Sequence, residues 1–167
     1  MDTPAHPAIA WPGFDAERAL VLPLLAALMA TPFGERCQID GVRLARKQEF
    51  HVTLLDRQMA RAAAGYGEPQ LRALYETLRW IPRRTGRYAL LHETKRTGTG
   101  LLECWSLIEH LQLPAMHSYR AVLSQALGPA FDDPVPHVTH FVHGDPNGIG
   151  VPHVRALDRL LVRAVLP

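Results

Sequence analysis

Cysteine is scarce in this chain. Only Cys37 and Cys104 occur among 167 residues, and they show no C-x-x-C spacing. Two buried thiols in a reducing cytoplasm are the expected reading, with a disulfide between them as the alternative. Long hydrophobic runs are also missing. The longest apolar stretch, Ala19 to Ala30, is broken by Pro23 and falls short of the roughly 20 residues a membrane-spanning helix needs. No Lys or Arg follows the opening Met1-Asp2 closely, so a secretory leader and a membrane partner are not expected. Nor is there an excess of one charge: 18 Lys and Arg face 16 Asp and Glu, for a net charge of +2. That balance argues against a duplex-DNA binder, which usually carries a strongly basic patch. It is compatible with a small phosphate-bearing substrate. Thr97-Gly98-Thr99-Gly100 lacks the Lys-Ser/Thr of a phosphate-binding P-loop. No Gly-x-Ser-x-Gly elbow occurs, and no repeat of solenoid period.

What is present is ordinary globular composition, 47% hydrophobic and 20% charged. A chain of 167 residues buries roughly two thirds of its unfolded surface and needs no metal or disulfide to fold. One domain over 1–167, with an irregular Pro- and Ala-rich lead-in at 1–13, is expected. Phe14 to Ala30 reads as a helix capped by Asp15, with Leu20, Leu24, Leu25 and Leu28 on one face and Pro23 as a kink or first turn. Cys37 to Ala45 reads as a hairpin around Asp40-Gly41, and Phe50 to Leu55 as a strand. Helices are expected over Arg57 to Ala64, from Pro69 through Leu78, and over Pro114 to Leu127 with Gly128 as its stop. Arg87 to Thr94 and Thr99 to Ile108 read as strands joined by a turn at 95–98. Val135 to His143 reads as a strand before the turn Asp145-Pro146-Asn147-Gly148. Arg159 to Leu166 reads as a closing strand.

One short pattern occurs twice. Phe50-His51-Val52-Thr53-Leu54 is echoed by Pro136-His137-Val138-Thr139-His140. In a strand, alternate residues share a face. Each copy therefore presents an imidazole and a hydroxyl on one side, about 7 Å apart. Imidazole is the side chain best suited to take or give a proton near neutral pH. Two of them can divide the work, one activating water and the other protonating a leaving oxygen. The threonine hydroxyls can donate to non-bridging phosphate oxygens. A single His-x-Thr carries little weight; two copies in strands point to a shared phosphodiester site that needs no metal.

The pair His51-Val52-Thr53-Leu54 and His137-Val138-Thr139-His140 resembles the two His-x-Thr/Ser-x motifs of the 2H phosphoesterase superfamily, which includes the RNA 2′,3′-cyclic phosphodiesterases also called 2′–5′ RNA ligases. The resemblance implies an α+β bilobal fold, with two antiparallel sheets related by a pseudo-twofold axis, a central groove lined by the motif strands, and helices outside. It implies metal-independent hydrolysis of a cyclic phosphate or phosphodiester on a nucleotide or RNA end, without a cofactor. His51, Thr53, His137 and Thr139 are the catalytic residues it implies, with His137 activating water and His51 protonating the ribose oxygen. Many bacterial members carry an Arg three places after the second Thr, where this chain has Val142. Many also begin with a strand.

Other readings stay open beside it. His137, His140 and His143 form a His-x-x-His-x-x-His run that could hold zinc. In a regular strand, however, His140 faces away from the other two, and packing between lobes or exposure suits it better. Tyr88, Trp105 and Phe141 are candidates for stacking on a base. Phe141 is expected on the face of His137 and Thr139, and His143 at the groove edge. Arg83, Arg84, Arg87, Lys95 and Arg96 form a basic cluster, a solvated face or a steering patch for phosphate. A monomeric, cytoplasmic hydrolase acting on a nucleotide or RNA end is the expectation. The alternative is a non-catalytic nucleotide- or RNA-binding module on the same fold.

Overall fold

The structure is a computed structural model that describes residues 4–167; the first three residues of the expected lead-in lie outside the described residues. The fold is α+β with two antiparallel sheets. The strands are β1 (Leu20–Leu24), β2 (Arg36–Ile39), β3 (Val42–Arg46), β4 (Phe50–Leu55), β5 (Arg83–Thr97), β6 (Gly100–Gln112), β7 (His137–His143) and β8 (Leu161–Val165). The helices are α1 (Arg57–Ala63), α2 (Glu68–Glu76), α3 (Pro114–Leu127) and α4 (Val154–Leu160). β1 and β4 form the small sheet, and the large one runs β2-β3-β7-β6-β5-β8. Two strands stand against six, so strand number does not carry the twofold relation between lobes that the resemblance implies.

The expected helix over Phe14 to Ala30 is not formed. Residues 4–19 are irregular apart from a turn, and Leu20, Leu22 and Leu24 alternate inward along β1. Period 2 wins over period 3.6 because these side chains reach the core opposite β4, while Leu25 is left 52% exposed. Pro23 is tolerated because β1 pairs on one side only. The Asp40-Gly41 hairpin forms as expected, both residues at positive φ (52° and 80°). β5 runs on through Thr97, so the turn is the two-residue Gly98-Thr99 rather than 95–98. The closing strand begins two residues later than expected, since Arg159 and Leu160 end α4.

Helices α1, α2 and α3 pack on the small sheet around Leu22, Val52, Leu54, Leu71, Tyr75, Trp80 and Tyr119. One face of the large sheet is covered by α4 and the segment before it, over Leu91, Cys104, Ile108, Ile149 and Leu160. The other face curls on itself. Cys37 and Ile39 of β2 meet Tyr88, Leu107, Phe141 and Val165 in one core. Arg163 of β8 reaches across to Asp40 in the β2–β3 turn at 2.9 Å, so the two edges of the six-stranded sheet come together. Both cysteines are buried and free. Among the described residues no helix is long and apolar enough to cross a membrane.

Candidate active site

β4 and β7 carry the repeated motif and lie in different sheets, yet their motif residues open into one cleft. Along β4, Phe50, Val52 and Leu54 turn into the small-sheet core while His51 and Thr53 turn out. Along β7, His137 and Thr139 are half-buried between the buried Val138 and His140. His51, Thr53, His137 and Thr139 line a cavity of about 100 Å³ together with Asp56, Arg120 and Asn147. At roughly 30 Å³ per water, that is room for about three waters.

The walls of the cleft are held firmly. Asp56 ends the segment after β4 and caps α1, accepting from the Met59 amide at 2.8 Å. The loop from Asp145 to Pro152 forms the opposite wall. Lys95 donates to the Asp145 carboxylate (2.7 Å) and the Gly148 carbonyl (3.1 Å), and Lys47 to the Pro146 carbonyl (3.2 Å). The Ile149 amide donates to the Ser106 hydroxyl at 3.0 Å. Gly148 has φ +82°, and a Cβ there would stand 3.3–3.4 Å from Ser106, Val142 and Thr139. Glycine is what lets this loop lie against the motif strand.

The two motif imidazoles differ in environment. His137 Nδ1 lies 2.7 Å from the Val135 carbonyl. A carbonyl only accepts, so Nδ1 carries the hydrogen and Nε2 keeps its lone pair. Burial is the main cause that pushes His137 down to about 4, and the neighbouring His110 and His51 push the same way. His51 is also held below the usual histidine range, first by burial and then by the Lys47 charge, with Glu49 opposing.

The stacking candidates lie elsewhere. β7 carries a bulge: Leu107 pairs with Phe141 but Ile108 with Thr139, so His140 is an extra residue. The bulge turns His140 and Phe141 to the same side, away from the cleft. Phe141 therefore packs with Tyr88 and Leu107 in the curled core instead of sharing the face of His137 and Thr139. Tyr88 is buried there, in edge contact with Phe33. Trp105 packs against the same core, with the His92 ring tilted over it at 33° and 4.2 Å between centroids. His143, past the bulge, is exposed and bonds the Arg43 carbonyl at 2.9 Å. None of the four lines the cavity of the two motifs.

His140 is fully buried in a polar cluster behind β7. Arg46 Nη1 donates to its Nδ1 at 2.9 Å, and its Nε2 lies 2.8 Å from Glu109. An arginine cannot accept, so Nε2 carries the hydrogen and His140 is neutral. Arg84 makes a forked bond to the same carboxylate, at 2.8 Å for the shortest arm. Burial pushes the Glu109 carboxyl up, but His140, Arg84 and the Gly86 amide together hold it at about 2. Among the described residues no three His, Cys, Asp or Glu side chains form a metal-binding group, and His137, His140 and His143 diverge.

Sequence reasoning missed Arg120, Asp56 and His110. Arg120 sits on the apolar stripe of α3 with Met116, Tyr119 and Leu123, and a charge at such a position was the available signal. His110 stands opposite His137 in the β6–β7 pairing, a relation that sequence does not carry. No protein-family description, no curated protein and no solved structure matches the chain.

Proposed function

We propose that the chain is a 2H-type phosphoesterase that hydrolyses a cyclic phosphate or phosphodiester on a nucleotide or RNA end. The carrying observation is that His51, Thr53, His137 and Thr139, from strands in separate sheets, line one small cavity. His137, neutral and with Nε2 as acceptor, takes the proton of an attacking water. His51 gives a proton to the departing ribose oxygen. Thr53 and Thr139 donate hydrogen bonds to the non-bridging oxygens, which stabilises charge building on phosphorus. Acid, base and hydrogen-bond donors all come from side chains, so the reaction needs no metal.

The test is a screen of purified protein, with EDTA present, against RNA ending in a 2′,3′-cyclic phosphate, cyclic mononucleotides, ADP-ribose cyclic phosphate and a 2′–5′ linkage. Turnover of one of these that disappears in His51→Ala and His137→Ala is expected. No turnover of any, or turnover abolished by EDTA, overturns the reading.

A further inference from the structure

Arg120 is only 1% exposed, in the middle of α3, and it lines the cleft with the two histidines. Its Nε donates to the Phe131 carbonyl (2.7 Å), Nη1 to the Leu54 carbonyl (3.2 Å) and Nη2 to the Pro152 carbonyl (3.0 Å). A guanidinium has five N–H groups. The remaining two find no acceptor among the described residues. Among the described residues no carboxylate comes within ion-pair distance either; burial pulls Arg120 down to about 10, and Asp56 and Asp132 oppose this only from further away. A buried charge without a partner is costly, and proteins bury charges paired. The other buried arginine cluster obeys this rule, with Arg84 forked onto Glu109. Arg120 departs from it at the cavity that the two motifs share.

We infer that Arg120 is a substrate-binding residue whose buried guanidinium takes the anionic oxygens of the phosphate held between His51 and His137. The inference rests on the hydrolase reading and deepens it: the substrate is recognised by its negative charge, not only by its ribose. The three carbonyls fix the guanidinium plane, so its charge is in place before substrate arrives. The Leu54 carbonyl ties it to the residue after Thr53, and the Pro152 carbonyl to the loop that forms the opposite wall. A cavity of about 100 Å³ admits the phosphate group and leaves a nucleoside outside at the rim. Asp56, the one carboxylate among the lining residues, offsets the positive charge and disfavours a doubly charged group. That combination suits a singly charged diester and helps expel the monoester formed by its hydrolysis, which carries about two negative charges at neutral pH.

The experiment reads charge recognition. At a pH of about 5, where inorganic phosphate is almost wholly singly charged, it is titrated into wild-type protein labelled with ¹⁵N-arginine while the guanidinium signals are followed by NMR. The slowly exchanging signal that is missing in Arg120→Lys should shift saturably. In parallel, hydrolysis of an anionic phosphodiester is compared with that of the neutral methylphosphonate ester of the same alcohols. Arg120→Met should lower the ratio of the two kcat/KM values about tenfold to a hundredfold, the worth of a charge-assisted bond. An arginine that only clamps carbonyls would lower both rates alike. An equal loss on both esters, or an Arg120 signal unmoved by saturating phosphate, overturns the inference. If Arg120→Met fails to fold, the wild-type titration decides alone. Phosphate bound at Arg120 by a protein that turns over no ester keeps the anion site and overturns the hydrolase reading instead.

Discussion

His110 stands directly opposite His137 on adjacent strands. The neighbouring pair, Leu111 and Pro136, makes the ladder bond at 2.9 Å, so the histidines occupy the intervening site where backbones make no bond and side chains come closest. A proton on either ring disfavours a proton on the other, and His110 is itself held low by burial and then by Arg87. Burial first, and this crowding of imidazoles after it, keeps the proposed base free of its proton.

The first expected consequence is an acid-shifted rate profile. His137 must be neutral, so activity rises as pH climbs through about 4. His51 must be charged, and its value lies below the ordinary 6.5, so activity falls again before neutrality. A bell with its maximum between these limits is expected in kcat/KM. His137→Ala should lose the acid limb and His51→Ala the alkaline one. A flat profile from pH 4 to 8 would contradict the assignment.

Either substitution should cost about 10²–10⁴-fold in turnover. The double variant should lose far less than the product, because both groups serve one transition state. A substrate whose leaving group needs no proton should rescue His51→Ala and leave His137→Ala slow. Equal rescue of both would reverse or dissolve the division of roles.

Folding stability should also depend on the His137 ring. Its folded value is depressed, so the unfolded chain binds the proton more readily. Stability is then full above the unfolded value of 6.5 and falls as pH drops toward about 4. The loss from this one group is up to about 3 kcal/mol. Urea unfolding between pH 7 and 4 should show a shallower decline in His137→Gln than in wild type.

Glu109→Ala should destabilise the protein by about 3–5 kcal/mol, since it strands Arg84 and the His140 N–H in a closed interior. Glu109→Gln keeps an acceptor oxygen and should cost less. Equal losses in denaturant titrations would show that the carboxylate charge, and not an acceptor oxygen alone, is what the cluster requires.

Gly148→Ala should lower stability by about 1–2 kcal/mol, the cost of a side chain in the left-handed region. Its Cβ would press on Thr139 and move the cleft wall, so turnover should fall as well. Gly65→Ala, with open space around it and no positive φ, serves as the comparison and should leave turnover unchanged.

Much of this arrangement was legible beforehand, for physical reasons. Local alternation sets the outward faces of β4 and the first half of β7, so His51, Thr53, His137 and Thr139 could be paired on paper. Pro114 and Gly128 bracket α3 in sequence as in space. The failures share a cause. Leu20 to Leu28 satisfies both a helical and a strand period, and only the unseen partner strand β4 decides between them. The bulge at His140 breaks the alternation that placed Phe141 beside Thr139, and no residue type announces it. Arg120 needed the knowledge that α3 lies behind the cleft.

The contact between Arg163 and Asp40 spans 123 residues, and it bears on the order in which the molecule assembles. β1 and β4 pair across the segment that carries β2 and β3, and the β2–β3 and β5–β6 hairpins are local. Joining the edges of the large sheet requires nearly the whole chain to be in place, the kind of distant pairing that slows folding. The cleft needs β7 seated between β3 and β6. Hairpins should therefore gain hydrogen-exchange protection early in refolding, while protection of β8 and catalytic competence arrive together and last.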